Sequence, residues 1–382
     1  MTAVWQVILD PTLNGTLSLT PTLPEDGWVP DGTTVTVTAS PASGYSLDSI
    51  YYSVPGRWGT MYHESLTTEF QIVIDQDKHI GASFIAKQEV AHLQTIHNVI
   101  YAQPGVKALK YDVYRPLQAQ GLPIVVVIHG GAWSTNDEDI MRGLARELTR
   151  NKSLVVCCID YRWLGQLDGD VVPNKLNDLI EDVFGALAHI QEHAGEYGGD
   201  PSRIGLTGDS AGGHLSAAAA LFVERIGDRG FGKQAGIFEF LPSYLPADKT
   251  LSTIRQELLS AIRAVAPSYG VFSVDGLKDF QLGVDDESAK ANAPREGVVD
   301  SLQRPIPVFL NRGSEDELIS AEEVETFAEE LKRNGHPVVY EEIAGAEHAF
   351  FDWKPREDVK ETFQKYGVPA AGRMRAFFEQ TL

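Results

Sequence analysis

The run "PIVVVIHGG" is apolar without a break. A strand with one wet face alternates polar and apolar residues, whereas a strand buried on both faces does not. The next segment, "DEDIMRGLARELTRN", has helical character, with Asp and Glu at the end where a helix dipole favours them. The pattern then repeats. "SLVVCCIDY" is a strand, "NKLNDLIEDVFGALAHIQEHAGEY" an amphipathic helix, "RIGLTG" a strand, and the residues after Ser210 a helix. "AIRAVAPSYG", "PVFLNRG" and "PVVYEEIAG" add three strands, with "SAEEVETFAEELKRNG" between the last two as a helix capped by serine and stopped by glycine. Strands alternating with helices at this spacing predict an α/β fold with a doubly wound, mostly parallel sheet. "LQTIHNVIYA" and "KALKYDVYRP" read as a hairpin leading into it, and "ETFQKYGVPAAGRMRAFFEQTL" closes the chain with helices.

Residues 1–86 are of another kind. Short alternating runs, "TTVTVTAS", "EFQIVID" and "HIGASFI", are separated by turn signals such as Asp31-Gly32 and Ser43-Gly44. These predict a small all-β domain, with residues 87–382 forming the α/β domain. The phrase "VPDGTTVTVTASPASGYSLDSIYY…QIVIDQDKHIGASF" resembles a single unit of the internalin-B-type repeat family, which implies a module of secreted or surface proteins. Residues 225 to about 258 break the strand–helix alternation and are expected to form an insertion, a lid or a rim.

Composition excludes some classes. The formal charge is −21, from 32 basic and 53 acidic residues, so a nucleic-acid partner is not expected. No stretch of 18 apolar residues suggests a membrane span. The start "MTAVWQVILD" lacks the basic and apolar parts of a signal peptide. The chain is therefore expected to be cytoplasmic, or exported with its leader removed, and the β module favours a secreted or periplasmic place. Cys157 and Cys158 are adjacent in a strand, point to opposite faces, and read as buried thiols.

Ser210 sits in Gly208-Asp209-Ser210-Ala211-Gly212, after a strand and before a helix. That setting makes G-x-S-x-G a nucleophile turn, because small neighbours let the backbone bend and hold the hydroxyl above the sheet edge. The bland alternative is a helix-capping serine. A serine hydroxyl needs a base. His348, in a glycine-bearing loop after the last strand, is the candidate. His189 and His193 read as solvated, His214 as packing or capping, and His336 as part of a turn. The orienting acid is sought in "NRGSEDELIS", which offers Glu315, Asp316 and Glu317. Asp316 is chosen for its place after the strand, with Glu315 the alternative. In "VIHGGAW" the amides of Gly131 and Ala132, with that of Ala211, are positioned to receive a developing oxyanion. His129 reads as a residue that ties this loop down.

With "HGGAW", "GDSAGG" and "GAEHAF" in this order, residues 90–382 resemble the α/β-hydrolase superfamily, near the hormone-sensitive-lipase-like esterases and the bacterial feruloyl and acetyl-xylan esterase-like branch. The resemblance implies Ser210 as nucleophile, His348 as base, Asp316 as acid, and Gly131, Ala132 and Ala211 as amide donors. It implies a serine esterase acting on a small-molecule or carbohydrate ester, with no metal or cofactor required. Ala132 departs from the commoner His-Gly-Gly-Gly. The form His-Gly-Gly-x-Trp is also similar to formamidases of the superfamily, which keeps amide or peptide substrates open beside esters. The β module by itself would suit a non-catalytic carbohydrate- or surface-binding protein. Trp133, Tyr161, Trp163, Phe350, Phe351 and Trp353 stand near the loop motifs and could line an aromatic pocket or simply pack in the core.

Overall fold

The alternation in "TTVTVTAS" is that of a strand with one wet face. Val35, Val37 and Ala39 are buried while Thr34, Thr36 and Thr38 between them are not. The computed structural model describes residues 3–56, 59–228, 239–280 and 285–382. Their contacts divide the chain into two compact units: Met1–His92 with Lys354–Lys360, and Leu93–Trp353 with Glu361–Leu382.

Apart from a one-turn helix at Lys87–Val90 and the start of the helix Glu357–Thr362, the first unit is built of β-strands. Its strands are β1 (Val4–Leu9), β2 (Gly15–Thr20), β3 (Trp28–Pro30), β4 (Thr33–Pro41), β5 (Tyr45–Gly56), β6 (Gly59–Ser65), β7 (Glu69–Ile74) and β8 (Lys78–Ala86). They form a five-stranded sheet, β3-β1-β8-β5-β6, and a three-stranded sheet, β2-β4-β7. All pairs are antiparallel except β1 with β8. The core between them contains Val7, Val35, Val37, Ile50, Ile72, Ile74 and Ile80.

The second unit is built on eight strands: β9 (Leu93–Ala102), β10 (Leu109–Pro116), β11 (Leu122–Ile128), β12 (Val155–Ile159), β13 (Gly199–Asp209), β14 (Ile262–Ser268), β15 (Val308–Gly313) and β16 (Val338–Ile343). Their order is β9-β10-β12-β11-β13-β14-β15-β16. β9 and β10 pair antiparallel, as does β10 with β12, and the rest of the sheet is parallel. This is a doubly wound α/β sheet.

Its apolar runs are buried on both faces. Along β11, Val126 and Ile128 enter one core with Leu179, Val183, Leu206 and Leu215, while Val125 and Val127 enter the other with Leu144, Leu148, Met374 and Phe378. Cys157 and Cys158 divide between the same two cores as free thiols. Helices Leu176–His193 and Ala211–Leu221 cover the first face, and Arg142–Leu148 and Val368–Thr381 cover the second. The helix Ala321–Arg333 begins at Ser320, whose hydroxyl accepts from Glu323 N–H.

Within the expected insertion at 225–258, residues 229–238 lie outside the described residues. The described part packs on the helix Leu176–His193: Ser243 N–H donates to the Glu181 carbonyl at 3.1 Å, and a Cβ on Gly185 would meet Tyr244 N at 2.8 Å.

Leu206 lies on the central strand with no exposed surface. Leu206→Ala should cost about 2–5 kcal/mol of stability, read from urea unfolding followed by a probe in the α/β unit. A loss below about 1 kcal/mol would contradict the packing described.

Candidate active site

Between β13 and the helix Ala211–Leu221 the backbone reverses within one residue. Ser210 takes φ 52° and ψ −117°, a conformation that side chains rarely adopt. Two glycines make the turn. A Cβ on Gly212 would overlap the Ile128 carbonyl oxygen, and one on Gly208 would overlap the Gly212 carbonyl. With no side chain at either place, the helix start presses onto the ends of β11 and β13. Ser210 N–H donates to the Ser268 carbonyl at 3.0 Å, and His214 N–H to the Ser210 carbonyl at 3.1 Å, so the turn is held from both sides.

The base and acid candidates arrive from the ends of β16 and β15. His348 Nε2 lies 3.0 Å from Ser210 Oγ, and His348 Nδ1 lies 2.8 Å from Asp316 Oδ2. The structure therefore joins the three side chains in one hydrogen-bonded line. Asp316 is 4% exposed, while Glu315 and Glu317 point to solvent. Burial alone would push the Asp316 carboxyl up. The hydrogen bond and charge of His348, with the amides of Ile319 and Leu318, outweigh it and hold the carboxyl below its ordinary range. Both amides donate to Oδ1 at 2.9 Å. Arg312 braces the loop by donating to the carbonyls of Asp316 and Ile319, each at 2.6 Å. Asp316 is thus kept as an anion facing the imidazole. The line can pass a proton from the serine oxygen to the imidazole and stabilise the cation that forms.

The loop after β11 is bent at consecutive residues, with φ of 118° at Gly131, 49° at Ala132 and 57° at Trp133. Among the described residues neither Gly131 nor Ala132 donates its amide to a backbone carbonyl. The Ala211 amide opens a helix and has no intrahelical acceptor. These are amides able to receive a negative oxygen. His129 is buried, stacks on Tyr161 at 4.2 Å, and lies 3.4 Å from Asp160 Oδ1 through Nε2. It ties the loop down, as its place in the motif suggested. Asp209 was not singled out from the sequence. Its Oδ1 accepts Gly130 N–H at 2.7 Å, joining the serine strand to this loop. The signal was available, since Asp209 is the only charged residue in the five-residue turn.

For most of the aromatic residues the core alternative is the one found. Trp133, Tyr161, Phe350 and Phe351 are fully buried and Trp353 nearly so, so these five rings belong to the core, while Trp163 is half-buried. His189 is half-buried, with Nδ1 2.9 Å from the Tyr111 hydroxyl, and His193 pairs with Glu196 at 2.8 Å. His336 accepts Ile306 N–H at 3.2 Å and lies 2.7 Å from the Val299 carbonyl. Among the described residues, Asp112, Glu138 and Asp139 form a carboxylate group close enough to share a cation. Lys110 Nζ stands 2.8 Å from Glu138 Oε1, so the chain brings a cation of its own to this group.

Comparisons with known proteins agree with this architecture. Residues 111–292 match the model of the BD-FAE family, and residues 254–381 that of the dienelactone hydrolase family. A probable carboxylic ester hydrolase, LipM, from Mycobacterium tuberculosis is 30% identical over 274 residues, which is 66% of this chain and 56% of that protein. A probable isoprenylcysteine alpha-carbonyl methylesterase, ICMEL1, from Oryza sativa subsp. japonica is 30% identical over 257 residues, 63% of this chain and 54% of that one. The chain spans just over half the length of these curated relatives. Among solved structures, esterase 2 of Thermogutta terrifontis superposes with a TM-score of 0.54 at 21% identity, over 75% of this chain and 94% of that one. An esterase of Pyrobaculum calidifontis superposes with a TM-score of 0.55 at 19% identity, over 77% and 87%. The α/β-hydrolase fold is shared with both. Among the described residues no helix is long and apolar enough to cross a membrane.

His214 locks the loop from below. It accepts the Trp133 indole N–H at Nδ1 (3.1 Å) and donates from Nε2 to the Asn292 carbonyl (2.8 Å), which uses the neutral ring at both nitrogens. Burial pushes its pKa down to about 4 from 6.5, against the opposing pull of the Asn292 carbonyl. Below pH 6.5 the unfolded chain takes up a proton that the folded chain refuses. The stability contributed by neutral His214 is therefore complete above that pH and falls as pH drops toward 4. Between pH 7 and 4.5 this amounts to about 2 kcal/mol. His214→Gln should flatten the pH dependence of urea unfolding by that amount. An unchanged slope would show that the imidazole takes up its proton as readily in the fold as in the unfolded chain.

Proposed function

We propose that this chain, which has the α/β-hydrolase fold, is a serine carboxylic-ester hydrolase working by two-step acyl transfer. The observation that carries this reading is the unbroken line Asp316–His348–Ser210, with contacts of 2.8 and 3.0 Å. The names of the relatives, a carboxylic ester hydrolase and a methylesterase, support the same class.

The contacts of the three side chains support the following steps. His348 carries its proton on Nδ1, toward Asp316, so Nε2 is free to accept the proton of Ser210 Oγ. As that proton moves, Oγ bonds to the ester carbonyl carbon and the carbonyl electron pair shifts to oxygen. The amides of Gly131, Ala132 and Ala211 receive this oxyanion. The imidazolium, steadied by Asp316, returns the proton to the departing alcohol. Water then gives a proton to His348 Nε2 and attacks the acyl carbon. Ser210 is released as the proton returns to Oγ and the acid leaves.

For substrate we propose small acyl and aryl esters, including acetylated or feruloylated plant carbohydrate. The resemblance of "HGGAW", "GDSAGG" and "GAEHAF" to the feruloyl and acetyl-xylan esterase-like branch supports this range. The likeness of residues 1–86 to a surface-protein module supports a place outside the cytoplasm.

Ser210→Ala should abolish hydrolysis of p-nitrophenyl acetate while the protein stays folded, and Asp316→Asn should lower kcat by about 10³–10⁴. Undiminished turnover by Ser210→Ala refutes the assignment. Across acetyl, butyryl and feruloyl esters, short or aryl acyl groups should be preferred, and a clear preference for long acyl chains overturns the substrate range. Hydrolysis of anilides in place of esters would move the reaction to the amidases.

A further inference from the structure

The chemistry proposed above needs three separate loops to keep their spacing: the turn at Ser210, the segment bearing His348, and the bend at Gly131 and Ala132. They follow β13, β16 and β11, strands that are not consecutive in the chain. One buried pair of side chains lies beneath all three. Asp209, 1% exposed, accepts Gly130 N–H at Oδ1 (2.7 Å) and the Tyr269 hydroxyl at Oδ2 (3.4 Å). The same hydroxyl accepts the backbone N–H of Phe351 at 3.2 Å. A path of three hydrogen bonds thus runs from the residue before Gly131, through the residue before Ser210, to the third residue after His348.

Tyr269 also touches the base directly. Its ring meets the His348 imidazole edge-on, with centroids 4.9 Å apart and planes at 66°. Tyr269 is itself pinned, with φ 35° and its N–H on the Asn311 carbonyl at 2.7 Å, and its ring lies 4.8 Å from that of Phe350. A purely apolar contact here would need only phenylalanine. Instead a hydroxyl is buried with no exposed surface. Burial, then the charges of Asp209 and Asp352, push its pKa well above the usual tyrosine value, so it keeps the proton it donates. The 3.4 Å bond to Asp209 is long for a hydroxyl on a carboxylate. The brace therefore depends on the Phe351 bond and the ring contact as well.

We propose that Tyr269 is a positioning residue for the reaction: its hydroxyl and ring set the separation of His348 from Ser210 and tie both to the oxyanion loop through Asp209. This rests on the serine-hydrolase reading of the site. A positioning role acts on the transition state more than on substrate binding, because small misplacements of reacting groups are felt in the chemical step.

The test is steady-state hydrolysis of p-nitrophenyl acetate by Tyr269→Phe, which keeps the ring and removes the hydroxyl. The expected result is a kcat lower by about ten-fold with KM within about two-fold. Asp209→Asn, which keeps the shape and removes the carboxylate, should lower kcat in the same way. The double variant should lose little more than the worse single variant, because both break one path. Wild-type kcat in Tyr269→Phe, a loss carried by KM alone, or losses that multiply in the double variant would each overturn the proposal. Should Tyr269→Phe not fold, Asp209→Asn decides alone, and an unchanged kcat there overturns the brace. Ser210→Ala separates the two levels. Activity in that variant sinks the reading of the site, whereas its silence beside a fully active Tyr269→Phe sinks the brace only.

Discussion

The site depends on one close approach. The start of the helix Ala211–Leu221 lies so near the end of β11 that Gly212 has no room for a Cβ beside the Ile128 carbonyl. That contact forces the reversal at Ser210, with φ 52°, and brings the Ala211 amide and the Gly131–Ala132 bend to the same rim. Strain of this kind persists only where the surroundings determine it. Here the Ser268 carbonyl, the His214 amide and the two cores of the sheet do so.

Electrostatics then divides three adjacent acids into one buried carboxylate and two solvated ones. Glu315 and Glu317 remain in water, where their charge costs little. Asp316 is drawn in, and two backbone amides with His348 hold it ionised in spite of burial. A buried carboxylate so compensated can stabilise an adjacent imidazolium without competing for its proton. Arg312 contributes without touching the carboxylate, because it grips the carbonyls of the loop. The overall charge of −21 has no part in this, since the relevant interactions are short and shielded.

The α/β class and the order of Ser210, Asp316 and His348 were legible because each depends on local pattern: an apolar run, a glycine-bounded turn, a loop after a strand. The position of β11 between β12 and β13 was not, because strand order is decided by packing between distant segments. For the same reason the aromatic residues near the motifs could not be placed. Nearness in sequence to a loop does not say which way a ring points, and Trp133, Tyr161, Phe350 and Phe351 turned inward. His189 looked solvated on its helix until Tyr111, from a remote strand, supplied a partner. Asp209 and Tyr269 were invisible for a related reason. Their significance lies in reaching Gly130 and Phe351, 79 and 82 residues away in the chain.

The central claim is that Ser210 is made nucleophilic by His348 in the folded protein. Peptide mass mapping after brief exposure to a fluorophosphonate tests it most directly. One adduct, on the peptide holding Ser210, is predicted, and it should vanish over the same interval in folded His348→Ala. An unlabelled Ser210 in the folded protein, or equal labelling with and without the imidazole, would contradict it.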